Sequence, residues 1–389
     1  MTAGPLGHIG RYELLAKLAV GGMGEVFLAR TTGTGGFEKR LVIKRILPHL
    51  ADDPEFIRRF IAEGKLVVRL RHAGIAQVLD MGEEGGVTFI AMEHVDGRDL
   101  GELMRLARSG AVEMPVPLIV TIIVRLLEAL DYAHTATDDD GAALGIIHRD
   151  ISPSNVMISR TGEVKLLDFG IARATERLQA TTTGAIRGKY SYMSPQQAAG
   201  ADLDARSDLF SLGVLMWELL AGFRPFDGVS DLLTLDRIRF FDPGPLTAAA
   251  PGVPGPVAAV VERLLQKAPA DRFPSAEAAM RALMAWQNES GALVVPRDLS
   301  AWLERVLETL PAAMRRQPAA GLSLDDVLLM GLGSDPGQRK PSTAPVSTDR
   351  APLTRTLSAP GVSPPRPGER AVTGPALAGA VATQDGPHP

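Results

Sequence analysis

The sequence predicts an α+β protein. Strand patterns around a glycine-rich turn occupy the first quarter of the chain, and helical patterns dominate the middle. From Gly331 onward the chain is rich in Pro, Gly, Ala, Ser and Thr with few aromatics, a composition that cannot bury a core and predicts disorder over 331–389.

Residues 12–18 and 26–29 read as strands, joined by Leu18-Ala19-Val20-Gly21-Gly22-Met23-Gly24-Glu25-Val26, a glycine-rich hairpin. Small residues there let backbone amides approach phosphate groups that side chains would block. Taken alone, the signal is weak, and an ordinary hairpin is the better reading of the segment. Leu41-Val42-Ile43-Lys44 looks like a buried strand ending in a lysine, which is costly unless a carboxylate pairs with it. Residues 56–70 offer one, because Phe56, Phe60, Leu66, Val67 and Leu70 fall at helical spacing and Glu63 lies among them. Residues 87–92 form a further strand leading into Glu93-His94-Val95-Asp96-Gly97. Residues 117–133 are apolar nearly all round, as in a helix at the centre of a helical body. The polar insert 135–145 carries Asp138-Asp139-Asp140-Gly141, which lacks the alternating ligands and closing glutamate of a calcium loop and reads as a solvated hairpin.

His148-Arg149-Asp150, Asn155 and Asp168-Phe169-Gly170 carry the chemistry. Phosphoryl transfer needs a positioned nucleophile and neutralised phosphates more than covalent help. One carboxylate must face an incoming hydroxyl while a second carboxylate and an amide oxygen hold metal ions, and Asp150, Asp168 and Asn155 fit those jobs. Residues 156–158 and 164–167 read as strands about a Thr161-Gly162 turn, a hairpin that brings Asn155 and Asp168 together at its open end.

In this order, the motifs resemble the catalytic core of eukaryotic-like (Hanks-type) serine/threonine protein kinases in their bacterial branch, over roughly residues 11–286. The resemblance implies a two-lobed protein-kinase fold, with a small β-rich lobe carrying one key helix and a larger, mainly α-helical lobe. It divides the chain into an N-terminal extension (1–11), a kinase domain (12–286: N-lobe 12–92, hinge 93–97, C-lobe 98–286), a helical extension (287–330) and the tail. It implies that Lys44, oriented by Glu63, binds the α- and β-phosphates of ATP, that Asn155 and Asp168 hold Mg2+ (or Mn2+), and that Asp150 orients the hydroxyl. It places adenine against the backbone of Glu93 and Val95, with Met92 guarding the inner pocket, Val26 and Val42 as roof and Met157 as floor. His148 becomes a packed residue rather than a base, and Asp208 starts a buried helix (208–220) that braces the catalytic loop.

The chain departs from the family pattern at several positions. Ala19 replaces the first glycine of the loop, and Val42 replaces an alanine, adding bulk beside the base. The family's lysine two residues after the catalytic aspartate is Ser152, and its threonine after Gly188 is Lys189. The two side chains have exchanged places, so Lys189 is expected to stabilise the transferring phosphoryl group with Ser152 beside it; the rival reading is a crippled site with a solvated Lys189. Gln196 stands where a glutamate pairs with an arginine, here Arg272. Residues 168–196 read as an activation loop in which Thr181, Thr182 and Thr183 are candidate phosphorylation sites and Arg149 a partner for their phosphates, against the plainer reading of a flexible loop.

The chain has 389 residues, no cysteine and a formal charge of −4, which excludes disulfides, zinc-thiolate sites and cysteine catalysis, and argues against a bulk-basic nucleic-acid binder. The longest apolar stretch, 116–124, is about half of what a membrane span needs. Residues 1–10 lack the basic and apolar regions of a signal peptide, so none is expected there. A cytoplasmic protein without a membrane partner is expected, acting on ATP and protein substrates of unknown identity, with a transient homodimer for autophosphorylation. Leu299, Trp302, Leu303, Val306, Leu307 and Leu310 share one helical face that must dock, on the large lobe or on a partner; residues 323–330 read as a second short helix, with Ser323 and Asp326 in a capping arrangement. The rival function from another class is a pseudokinase that keeps the fold for docking, and a small-molecule kinase comes third.

Overall fold

The computed structural model describes residues 6–20, 24–110, 112–169, 190–311 and 315, apart from the side chains of Pro48, His49, Arg59 and Glu63. The expected helix at 323–330 and the tail lie outside these residues.

The small lobe is one antiparallel sheet of six strands: β1 (Gly7–Ile9), β2 (Tyr12–Val20), β3 (Gly24–Thr32), β4 (Glu38–Ile46), β5 (Val78–Glu84) and β6 (Val87–Glu93), in the order β1-β2-β3-β4-β6-β5. The period of two decides which way β4 faces. Leu41 and Ile43 are buried with Tyr12, Leu14, Phe27 and Phe89 on one side of the sheet, so Val42 and Lys44 take the other. Cross-strand register places Val26 opposite Lys44 and Val42 opposite Met92, so all four share that second face. Gly24 is held by this pairing: a Cβ there would lie 2.5 Å from the Arg45 carbonyl oxygen. Its glycine is therefore required by strand packing as well as by any phosphate.

Between β4 and β5 run α1 (Pro48–Ala51) and α2 (Pro54–Val67). Asp53 caps α2 by accepting from the amides of Glu55 and Phe56, and Pro54 fits the first turn, where its missing N–H costs nothing. Phe56, Phe60 and Val67 bury the apolar face.

The large lobe opens with β7 (Gly97–Asp99), which pairs with β8 (Val156–Ser159) and β9 (Val164–Leu166) in a three-stranded sheet. Its helices are α3 (Leu100–Ser109), α4 (Val116–His134), α5 (Pro195–Ala199), α6 (Arg206–Ala221), α7 (Asp231–Phe240), α8 (Leu246–Ala249), α9 (Gly255–Leu264), α10 (Ala276–Ser290) and α11 (Pro296–Glu308). Helices α4 and α6 form the centre, with Ile122, Ile123, Leu126, Leu127, Leu209, Phe210, Leu215 and Met216 all buried. None of the described helices is long and apolar enough to cross a membrane. The insert after α4 is a small hairpin as expected, with Thr137 bridging Ala143 and the Asp138 carboxylate accepting from the amides of Asp140 and Ala142. That carboxylate serves its own turn, and the described residues contain no cluster of three or more His, Cys, Asp or Glu set to hold a metal.

Helix α11 docks on the large lobe, against α3 and β8. Leu299, Trp302, Leu303, Val306 and Leu307 are buried, and Trp302 Nε1 donates to the Glu113 carbonyl at 3.1 Å. The start of α11 sits on the β8–β9 turn, where Gly162 has φ +82° and a Cβ would lie 1.8 Å from the Pro296 carbonyl oxygen. Arg160 ties the same turn to Glu304 at 2.6 Å and to Asp96 of the hinge at 3.7 Å, while Ser300 Oγ donates to the Arg160 carbonyl. Trp302→Ala removes a fully buried indole and should cost about 3–5 kcal/mol, read as a lowered urea midpoint; a loss below about 1 kcal/mol would mean that α11 is only loosely held.

Candidate active site between the lobes

The site forms where the β8–β9 hairpin meets β4 and the segment between α2 and β5. The backbone at residues 74–76 adds to β9 like a short strand, since Leu166 N donates to Gly74 O at 2.8 Å and Ala76 N to Leu166 O at 3.0 Å. Leu167 N donates to Asn155 O at 2.8 Å and closes the open end of the hairpin, placing Asp168 beside Asn155 as its sequence spacing requires.

Asp168 bridges the lobes. Its Oδ2 accepts from Lys44 Nζ at 2.8 Å, across 124 residues of chain. Its Oδ1 is buried and has no hydrogen-bond partner among the described residues. A buried carboxylate oxygen left without a donor is costly, and a bound cation would satisfy it. Asn155 donates its Nδ2 to the Asp150 carbonyl at 2.8 Å, which leaves Oδ1 as its oxygen for a metal. The residues present therefore fit a divalent ion. Asp168 has φ +47° and Arg149 φ +65°, left-handed values that a non-glycine residue holds only when its surroundings enforce them.

Asp208, at the start of α6, supplies that enforcement for the catalytic loop. Its Oδ2 accepts from His148 N and meets His134 Nε2, and its Oδ1 accepts from Arg149 N, each at 2.8 Å. Burial raises the Asp208 pKa, but these hydrogen bonds and the adjacent His134 outweigh it and hold the carboxyl below its usual range. His148 is fully buried between Leu167 O and Phe169, and burial pushes its pKa down, so it is a neutral packing residue as expected. The Asp150 backbone is held at both ends, its amide donating to His148 Nδ1 and its carbonyl accepting from Asn155.

The adenine-facing candidates converge from both lobes. Val26, Val42 and Met92 lie on the cleft face of the small sheet. Below it Met157 packs with Val95 and Ala76 in a small apolar cluster, and Leu167 borders it. Leu18, Ala19, Val20 and Glu25 lie on the two strands of the glycine-rich hairpin, where Ala19 pairs with Val26 and Val20 with Glu25, and Glu25 is bound by Lys17 and Arg45. Gly21, Gly22 and Met23 lie outside the described residues, as do Gly170, the threonines Thr181, Thr182 and Thr183, and Lys189. The side chain of Glu63 is also outside them, so the described partner of Lys44 is Asp168. Ser152 Oγ shares a hydrogen bond with Ser154 Oγ at 3.0 Å. One contact escaped the sequence reading: Lys165 on β9 pairs with Glu93 of the hinge at 2.7 Å. Its only signal was strand alternation, which does not name a partner.

Gln196 meets Arg272 as its position suggests. Gln196 Oε1 accepts from Arg272 Nη2 at 2.8 Å, and Gln196 Nε2 donates to Lys267 O at 3.0 Å. Arg272 is almost wholly buried with three carbonyls as its other partners, and burial pushes its pKa down to about 10, with Asp204 opposing and Arg206 adding to the fall. Gln196→Glu supplies the missing charge but gives up the bond to Lys267 O, for a net gain of about 1 kcal/mol. A rise in melting temperature of about 2–4 °C is expected; an unchanged or lower value would show that the neutral pair is already optimal. The neighbouring Gln197 carries a second link, donating to the Arg149 carbonyl at 2.8 Å while its Oε1 caps α5 at Ser194.

Residues 12–284 match the protein kinase domain family. Among curated proteins, the chain is 40% identical over 297 residues to the tyrosine-protein kinase MasK of Myxococcus xanthus, covering 76% of this chain and 46% of that protein. It is 37% identical over 271 residues to the serine/threonine-protein kinase PknA of Mycobacterium tuberculosis, covering 68% and 59%. Among solved structures, the PknI kinase domain of M. tuberculosis superposes with a TM-score of 0.54 at 32% identity, covering 73% of this chain and 99% of that one. The chain thus spans about half the length of the curated relatives it matches.

Proposed function

This chain belongs to the protein kinase family, in its bacterial eukaryotic-like branch, and from that we propose that it is an active serine/threonine kinase transferring the γ-phosphate of ATP to protein hydroxyls. The observation that carries the reading is the junction of Lys44 and Asp168 at 2.8 Å with Asp168 Oδ1 left buried and unpartnered among the described residues. A fold kept only for docking has no need to bear that cost.

The family uses ATP and a divalent metal; here Mg2+ is the metal, with Mn2+ able to replace it. Asp168 Oδ1 and Asn155 Oδ1 would hold the ion, which supplies charge neutralisation on the phosphates when bound. Lys44 binds the α- and β-phosphates, and Glu63 orients it. Val26, Val42 and Met157 enclose adenine, with the backbone of Glu93 and Val95 recognising its edge. Asp150 accepts the hydroxyl proton as the hydroxyl oxygen bonds to the γ-phosphorus and the bond to the β,γ-bridging oxygen breaks, releasing ADP. Lys189 and Ser152 stabilise the transferring group in exchanged places. Autophosphorylation of Thr181, Thr182 or Thr183 in a transient homodimer lets phosphate pair with Arg149. The cytoplasm, where ATP is abundant, is the setting.

Tyrosine phosphorylation is the second reading, favoured by the name of the MasK relative and by Ser152 in place of the lysine. Phosphoamino-acid analysis after incubation with γ-labelled ATP, magnesium and a generic protein acceptor separates the two. Label in phosphoserine and phosphothreonine is expected. Label confined to phosphotyrosine would transfer the chain to the second reading, and absence of label despite ATP binding would make it a pseudokinase.

A further inference from the structure

A cavity of about 550 Å³ adjoins the hinge, and of the candidate nucleotide-binding residues only Glu93 lines it. Six groups able to carry positive charge converge on it from four segments of chain: Lys39 and Arg40 of β4, Arg71 and His72 after α2, His94 of the hinge and Lys165 of β9. Its one carboxylate, Glu93, is already engaged by Lys165 at 2.7 Å. Among the described residues, Lys39, Arg40 and Arg71 make no ion pair. In a chain with a net charge of −4 this cationic concentration is local.

Gathering cations without counter-charge costs free energy that a bound anion would return. His72 Nδ1 accepts from Gly74 N at 3.0 Å, so its Nε2 is the ring nitrogen available to donate. His94 is half-buried; burial lowers its pKa, Asp96 opposes that, and Arg40 lowers it further. A guanidinium, an ammonium and an imidazole N–H together suit the three oxygens of a phosphate monoester. The cavity is far larger than one phosphate, and the exposed Leu79 on its wall gives apolar contact to flanking residues.

We propose that this cavity binds a phosphoserine or phosphothreonine side chain of a polypeptide. The choice of a phosphopeptide over a free anion rests on the kinase reading above, since such an enzyme makes the ligand it would bind here. Glu93 N donates to Gln77 O, and Glu93 Oε2 accepts from Gln77 N. A ligand drawing on Lys165 therefore acts on the hinge strand itself.

The test uses the full chain carrying Asp150→Ala, so that the site begins unphosphorylated whether or not the wild type is a kinase. The probe is a synthetic peptide of residues 178–186, which has no charged side chain, phosphorylated on Thr182, compared by calorimetry with its unphosphorylated twin and with inorganic phosphate. Saturable binding of the phosphopeptide alone is expected. Adding Arg40→Ala and Arg71→Ala, both exposed positions, should weaken it about tenfold or more without altering the melting temperature. Equal binding of the twin, equal binding of inorganic phosphate, or an affinity unmoved by the two arginine substitutions would each overturn the proposal. None of these outcomes depends on whether the wild-type chain phosphorylates anything.

Discussion

Asp150→Ala should lower kcat by about 10²–10⁴-fold, the contribution of a positioned general base, and leave ATP affinity and melting temperature near those of the wild type. The backbone argument separates the two effects. The Asp150 amide and carbonyl are held by His148 and Asn155, so the loop keeps its path when the carboxylate is removed. Lys44 and Asp168 hold each other without its help. Steady-state phosphotransfer at varied ATP, with nucleotide binding measured separately, reads the split between kcat and KM. A variant that keeps more than about a tenth of wild-type turnover would remove Asp150 from the proton's path. A variant that loses ATP binding as well would make Asp150 a structural residue.

Asp208→Ala should cost about 3–5 kcal/mol and abolish activity as well. Removing the carboxylate leaves two buried amides, of His148 and Arg149, without acceptors, and His134 without its partner. Arg149 then loses what holds its φ at +65°, so the loop carrying Asp150 can relax to an ordinary conformation. The Asp208 pKa is depressed in the folded chain. Its stabilisation is therefore complete above the ordinary aspartate value of about 4 and is lost only as pH falls through the lower folded value. Urea unfolding at neutral pH reads the full effect. Should the alanine variant fail to fold, Asp208→Asn keeps the shape and one acceptor, and an intermediate loss is expected; wild-type stability in Asp208→Asn would show that the charge is not needed.

The candidate catalytic residues stood out in the sequence because each belongs to a short, local pattern. The spacing of Asn155 and Asp168 about the Thr161-Gly162 turn is enough to define a hairpin and its open end. The alternation of Leu41, Val42, Ile43 and Lys44 decides which of them face the cleft. The apolar stripe of α11 announced a docked helix, since six apolar residues on one face are not left in water. These inferences rest on periods of two and 3.6, which are properties of the backbone and hold wherever the chain goes.

Tertiary structure decided the partners. That Lys44 meets Asp168 depends on how closely two lobes approach, and no local pattern encodes a contact across 124 residues. Gly24 and Gly162 looked like loop residues until β4 and α11 were seen to press against them. Lys165 and Glu93, or the cations around the neighbouring cavity, lie far apart in the chain and carry no mark of each other. The sequence by itself determined the chemistry available and the faces that must be buried, because residue type and period are local. Which groups meet, and what charge is left unbalanced where they do, is set by packing that only the folded chain brings into being.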